Sequence, residues 1–367
     1  MTGDPAGEGT GRGGPSRRRR HRWRAALASA VTAGVLVAVF AGIFPRFAHY
    51  SQAWSAIRRM PAPFVAALAA AAAANVAIGA WPMQAALPRL RYFPAFVVDQ
   101  SSFAVSNALP GGSALSLGVE YGMLESYGFG PGKAASASAI STVFNVLATL
   151  VMPAVGVLAL LLTGEATWHY VSIAVAVALV AGAALAGIAV VLHSERGARA
   201  VGGALDRLLN RVAGRLIRRR GVRVAARILD FRSTVVDVMR HRWPAVIGSS
   251  VLPLLASWAI LLVALQGLER GSHTDFRVSW AESLAAYSFS VIVAFIPVST
   301  GGLGTVDATL IGLLAVFGAT ASQALAVDIT WRAATFVPQV LIGALAFAWW
   351  RLTAARGRRP ADPRRAR

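Results

Sequence analysis

The sequence contains no cysteine, and acidic residues are scarce, 16 against 36 lysines and arginines. The lack of cysteine excludes disulfide bonds, thiol nucleophiles and cysteine-based zinc or iron–sulfur sites. The histidines lie near the ends of apolar runs or in loops, without the helical spacing of a metal site. No P-loop is present, so ATP would have to act through a partner. We therefore expect no metal, no cofactor and no catalytic residue.

Hydrophobic residues dominate the composition. They make up 56% of the chain against 14% charged residues, and the mean hydropathy is +0.57. Several continuous apolar runs reach the roughly 20 residues that span a bilayer as a helix. These runs extend from Ala25 to Phe44, Phe64 to Trp81, Ser136 to Leu162, Val171 to Leu192, Ala245 to Leu265 and Ile329 to Trp350. The composition predicts an all-α polytopic membrane protein with about six full spans.

Two further apolar stretches, Phe93 to Tyr127 and Trp280 to Phe317, are interrupted by the pairs Gly111-Gly112 and Gly301-Gly302. Backbone polar groups are not left unsatisfied in lipid, so such breaks lie inside protein or beside a water-filled cavity. We therefore predict two broken, re-entrant helical hairpins. The offset between the glycine pairs also matches Gly122 with Gly312, Gly128 with Gly318, Leu124 with Leu314, Ala134 with Ala324 and Tyr127 with Phe317.

This internal repeat predicts two half-repeats of opposite orientation, because three continuous spans separate the broken stretches. Inverted halves with discontinuous helices are typical of alternating-access transporters, whose substrates bind at the breaks. The alternative is that the glycines only allow membrane helices to pack closely.

The formal charge of +20 is concentrated at the ends of the apolar runs. We divide the chain into a disordered basic N-terminal tail at residues 1–22, a membrane domain at 23–351 and a basic C-terminal tail at 352–367. Within the domain, residues 194–243 form a connection predicted as a basic amphipathic helix that gathers anionic lipid. An even number of membrane crossings separates these basic segments, so all of them lie on one side of the membrane. The positive-inside rule identifies that side as the cytoplasm. We expect both termini inside a plasma membrane, and no nucleic-acid partner.

The two breaks also suggest how an anion is held. Pro110-Gly111-Gly112-Ser113 and Ser299-Thr300-Gly301-Gly302 each read as a break followed by a helix start. Free backbone amides and the positive end of the helix dipole favour an anion such as a lipid phosphate there. An ordinary cap and turn is the alternative.

Four ionisable residues within apolar sequence are candidates for function, because charge is costly in a membrane. Asp328 and Arg332 share one helical face and either pair with each other or bind an amine and a phosphate separately. Asp307 and Glu120 follow the two breaks and are candidates for attracting a cationic head group or carrying a coupling proton. A structural ion pair or a span-end anchor would explain the first two equally well.

The second half carries a specific pattern. Pro297, then Gly301-Gly302-Leu303-Gly304-Thr305-Val306-Asp307, and then Phe317-Gly318, Ala324 and Arg332 resemble the flippase-like family, also named for the transmembrane region of lysylphosphatidylglycerol synthase. The first half resembles its other copy more weakly, with Ser141-Thr142 where an arginine is expected. The resemblance covers about Arg24 to Arg351 and implies translocation of a lipid with a large polar head.

These observations predict a translocase for an anionic or aminoacylated phospholipid or glycolipid. The predicted lipid-binding residues are Gly111, Gly112, Ser113, Glu120, Gly301, Gly302, Gly304, Asp307, Asp328 and Arg332. Only about 16 residues follow the last span, too few for a folded synthase domain, so we expect a transporter and not an enzyme. Two alternatives remain: a membrane scaffold that partners a separate lipid-linked glycosyltransferase or synthase, and an intramembrane lipid-modifying transferase.

Overall fold

The computed structural model describes residues 58–108, 112–164, 224–272, 278–295 and 304–357, together with isolated helical positions between 182 and 196. Throughout these residues the regular secondary structure is helical, with no strand. The helices are α1 (Ala62–Ile78), α2 (Trp81–Ala86), α3 (Tyr92–Ala108), α4 (Gly112–Ser126), α5 (Pro131–Thr163), α6 (Val224–Ser272), α7 (Trp280–Val293), α8 (Thr305–Val316) and α9 (Ala321–Gly357).

Four helical segments of the described chain are long and apolar enough to cross a membrane. They are Ala62–Ala86, Pro131–Thr163, Arg242–Gly271 and Ala321–Thr353. Each contains most or all of one predicted run, so these four predictions agree with the structure. Of the other two predicted runs, Ala25 to Phe44 lies outside the described residues, and Val171 to Leu192 lies outside them except at isolated positions.

Local sequence explains where several helices begin and end. Pro131 occupies the first turn of α5, where its missing amide costs nothing, and Gly164 ends that helix with a φ of 75°. A capping box starts α7, because Ser279 and Glu282 each accept a hydrogen bond from the other's backbone amide. Glu282 is therefore a helix cap. The segment from Val224 to Arg242 continues into the candidate span as one helix.

Each broken stretch forms two short helices, α3 with α4 and α7 with α8, and the partners pack against each other. In the first pair, the start of α3 and the end of α4, which are the two ends farthest from the break, both contact the C-terminal part of α9. The Phe93 ring meets the Trp349 ring edge-on at 5.1 Å between centroids, and Trp350 Nε1 donates to Ser126 Oγ at 2.9 Å. The chain thus leaves and returns to the same end of α9.

The turns that follow α4 and α8 share one geometry. Gly128 and Gly318 have φ angles of 88° and 104°, a region that side chains disfavour. The next amides, of Phe129 and Ala319, donate to Leu124 O and Leu314 O, both at 3.0 Å, and close the helix ends in the Schellman manner. Helices α5 and α9 then begin at positions related by the offset of the repeat. The sequence matches therefore correspond to equivalent turns.

Substitution of Gly318 by alanine is expected to lower the free energy of unfolding by about 1 to 2 kcal/mol, because its side chain enters the disfavoured region of φ. Gly312→Ala is the matched control, since Gly312 lies within α8 and an added Cβ meets nothing within 4 Å. Thermal unfolding in detergent compares the two. Equal melting temperatures would contradict the strained turn.

Helix α9 is central to the fold. It packs against α1, α3, α6 and α8, and it contributes to both hydrophobic clusters of the described residues. Its approach to α3 is very close: a Cβ at Gly343 would lie 2.1 Å from Gln100 O. Glycine here lets two backbones touch, as is usual where membrane helices pack. The close contact fixes α9 beside the first broken stretch.

Candidate functional site

The start of α8 forms the first part of a polar site. Helix α8 begins at Thr305, directly after Gly304, whose φ is 95°. The Asp307 side chain turns back, and its Oδ2 accepts a hydrogen bond from the Gly304 amide at 2.6 Å. A carboxylate in the first turn also benefits from the helix dipole. Asp307 is thus fixed at the start of α8. We call the end of a helix that lies next to the break the inner end of the broken stretch.

Arg332 of α9 completes an ion pair with this carboxylate. Its Nε lies 2.5 Å from Asp307 Oδ1, and the two side chains are only 11% and 19% exposed. The pair joins α8 to α9 across space. The sequence left two alternatives for Arg332: an ion pair with Asp328 one turn earlier, or binding of a ligand separately from Asp328. The ion pair that the structure shows is with Asp307 instead.

Asp328 lies beside this pair but is incompletely satisfied. Asp328 is only 4% exposed, and its carboxyl group interacts electrostatically with both Asp307 and Arg332. Among the described residues, neither Asp328 Oδ1 nor Arg332 Nη2 has a hydrogen-bond partner. Buried polar atoms without partners are costly and call for an explanation. One buried acceptor and one buried donor, on residues four apart in α9, are therefore left without a hydrogen-bond partner among the described residues.

Aromatic residues hold α9 in this orientation. Trp331 Nε1 donates to Ser257 O of α6 at 3.0 Å, and its ring meets that of Tyr287 in α7 edge-on, with 5.9 Å between centroids. The Arg332 guanidinium lies 4.9 Å from the Trp331 ring centroid, within the range of a cation–π contact. Sequence reasoning missed these positioning residues, since a tryptophan or tyrosine in an apolar run has no distinctive signal.

A second polar cluster lies in the first half. Glu120 of α4 accepts a hydrogen bond from Ser138 of α5. Asp99 of α3 interacts electrostatically with Glu120 and accepts a hydrogen bond from Gln100 Nε2 at 3.0 Å. The offset of the repeat relates Ser138 to Asp328. Sequence reasoning singled out Glu120 but not Ser138, whose role depends on packing between helices.

The inner end of the first broken stretch is tightly closed. The described part of α4 begins at Gly112, within the segment where the sequence predicts a helix start, and a Cβ at Gly112 would lie 2.4 Å from Val105 O. Phe103, just before this contact, meets Phe336 of α9 at 5.8 Å between ring centroids. Phe336 is one helical turn beyond Arg332. Both inner ends therefore meet α9 at nearly the same level.

The structure thus brings together Gly304, Asp307, Asp328 and Arg332, while Glu120 lies in the separate cluster with Ser138. Gly111, Gly301 and Gly302 lie outside the described residues. So does the side chain of Ser113, whose backbone is in the first turn of α4.

Comparison with known proteins gives one family. Residues 21–343 match the family model described as lysylphosphatidylglycerol synthase TM region. A comparison with curated proteins finds no match. The family match includes both broken stretches and both polar clusters.

Proposed function

The chain belongs to the lysylphosphatidylglycerol synthase transmembrane-region family, and from this premise we propose that it moves an anionic or aminoacylated phospholipid or glycolipid between leaflets of the cytoplasmic membrane. It is a multi-pass membrane protein by its family and its apolar helices. Members of such a family act on membrane lipid, and apolar helices that enclose a buried charged cluster suit translocation.

The observation that carries the proposal is the group of charges formed by Asp307, Asp328 and Arg332. The free Arg332 Nη2 donates to the phosphate of the head group, and the free Asp328 Oδ1 accepts from its amine or hydroxyl. Asp307 holds the guanidinium in place from the inner end of a broken helix. Intramembrane charges arranged in this way are typical of substrate sites.

The architecture that suits this site is a pair of re-entrant hairpins in inverted halves. For the first hairpin, support comes from the contacts of Phe93 and Ser126 with the same end of α9. For the repeat, support comes from the matching turns at Gly128 and Gly318. With both termini cytoplasmic, the first hairpin enters from the inner face and the second from the outer face. Each hairpin then gates one side of a shared site.

Glu120 is the candidate for coupling translocation to protons. Glu120→Gln keeps a hydrogen-bond acceptor for Ser138 but removes the titrating group. We expect the translocation rate of this variant to be independent of an imposed pH gradient. In the wild type, the same gradient should change the translocation rate severalfold. Glu125→Gln is the matched control, because Glu125 lies on the same helix but is exposed. A Glu120→Gln response equal to that of the control would contradict proton coupling at this residue.

The proposal is tested with the purified chain alone in proteoliposomes. A translocase accelerates exchange of labelled head groups between leaflets and leaves lipid structures unchanged. A scaffold gives no exchange and retains a separate lipid-modifying enzyme through purification. A lipid-modifying transferase changes the lipids that mass spectrometry finds in the extract. Either of the last two results would contradict the proposal.

A further inference from the structure

A cavity of about 720 Å³ lies between α2 and the first turns of the span-forming part of α6. Its volume is typical of sites for small organic molecules, roughly 300 to 1,000 Å³. The polar end of the cavity is distant from Arg332. Ser257, which bonds to Trp331, lies fifteen residues beyond the cavity residue Arg242, or roughly 22 Å along α6, whereas the apolar end of the lining reaches Leu255. Arg242 and Arg332 therefore belong to separate polar sites.

The lining is mostly apolar and contains one charged residue, Arg242. Trp81, Pro244 and Leu252 belong to the apolar wall. Of the polar lining residues, Gln84 donates to Leu90 O and Ser249 donates to Val246 O, so both already have partners. Arg242 has no carboxylate partner within the described chain. The cavity thus combines an apolar wall with one cationic side chain, that of Arg242.

The cation lies where a phospholipid head group would be. Arg242 lies three residues before the apolar run Ala245 to Leu265, the position of a basic residue at the end of a span, and this places it near the membrane surface. The exposed side chains of Trp81 and Trp243 fit the same level, since tryptophan gathers at membrane interfaces. Arg240 adds a second basic residue in sequence, and basic pockets between membrane helices favour anionic lipids.

We propose that this cavity binds an anionic phospholipid, with an acyl chain along Trp81, Pro244 and Leu252 and the phosphate on Arg242. In the orientation proposed above, the site faces the cytoplasmic leaflet. Among the described residues, no hydrogen bond or ion pair joins this lining to the Asp307–Arg332 pair, so we expect lipid to bind here without translocation.

Gly248 offers a way to close the cavity without disturbing the fold. It lines the cavity, and an added Cβ would meet nothing within 4 Å. A leucine at this position fills the space and favours the helix more than glycine does. Gly132→Leu is the matched control, because Gly132 is also exposed with open space around it but does not line the cavity.

The test places the photoreactive residue p-benzoylphenylalanine at position 81 of the full chain in vesicles of equal phosphatidylglycerol and phosphatidylcholine. After irradiation, mass spectrometry identifies what is bound. We expect phosphatidylglycerol adducts to exceed phosphatidylcholine adducts about fivefold, the effect of one arginine near a phosphate. Arg242→Gln should bring this ratio to about one, and Arg270→Gln, at the other end of α6, should leave it unchanged. Gly248→Leu should lower the total adduct about fivefold and Gly132→Leu should not.

Three results would overturn the proposal: equal yields of the two lipids with Arg242 intact, capture of a peptide from Ala25 to Phe44, or capture of a second copy of the chain. The double variant Arg332→Gln with Asp307→Asn, which removes both charges of the buried pair, separates the two sites in the same vesicles. Retained labelling by this variant supports a lipid site independent of translocation. Labelling lost together with translocation, at the melting temperature of the wild type, would contradict it.

Discussion

Replacement of Arg332 by glutamine is expected to abolish translocation and also to destabilise the protein. The substitution leaves the carboxyl groups of Asp307 and Asp328 in a buried site without their cation. Breaking a buried ion pair from one side costs about 3 kcal/mol, because a charge remains without compensation. Loss of the donor to the head group should slow translocation by roughly one to two orders of magnitude. Thermal unfolding and leaflet exchange in proteoliposomes measure the two effects.

A double variant separates binding from folding. In Arg332→Gln with Asp307→Asn, the buried pair becomes a neutral hydrogen-bonded pair, so much of the stability should return. Translocation should stay lost, because the phosphate still has no cation. Recovery of translocation in the double variant would show that Arg332 acts only through stability, and the head-group role would be wrong.

The second large effect is expected at the inner end of the first hairpin. Gly112→Ala would bring a Cβ to 2.4 Å from Val105 O and 2.5 Å from Ser106 O, both backbone atoms that cannot move independently of the helix. Overpacking of this kind costs roughly 1 to 3 kcal/mol. Because α3 and α4 must separate to relieve it, translocation should fall together with the melting temperature. Both are measured in the same preparation.

Gly118 of the same helix provides the control. An added Cβ there meets nothing within 4 Å, so Gly118→Ala should be neutral or stabilise the helix by up to about 1 kcal/mol. If the two alanine variants melted at the same temperature, the close approach at Gly112 would not exist in the folded protein.

Local features of this fold were predictable from the sequence. The four long spans of the described residues follow from hydropathy, a property of each continuous segment of the chain. The equivalence of the turns at Gly128 and Gly318 followed from the repeat, since each turn needs a residue without a side chain. Hydropathy together with the two glycine pairs located the broken stretches.

Contacts between distant helices were not predictable in the same way. Spacing along the chain suggested Asp328 as a partner of Arg332, because residues four apart share a helical face. The observed partner, Asp307, is 25 positions away and is brought close by the turn between α8 and α9. The bonds of Ser138 to Glu120 and of Trp331 to Ser257 likewise depend on packing. Such pairs are set by the tertiary structure and leave no pattern in one sequence.

Leaflet-specific labelling of lipid head groups tests the central claim most directly. Vesicles of native membrane lipids are prepared with the wild-type chain, with the Arg332→Gln and Asp307→Asn double variant, and without protein. We predict rapid exchange of at least one phospholipid or glycolipid class with the wild type, and exchange at the protein-free rate with the double variant. Exchange by the wild type no faster than in protein-free vesicles, for every native lipid, would contradict translocation by this protein.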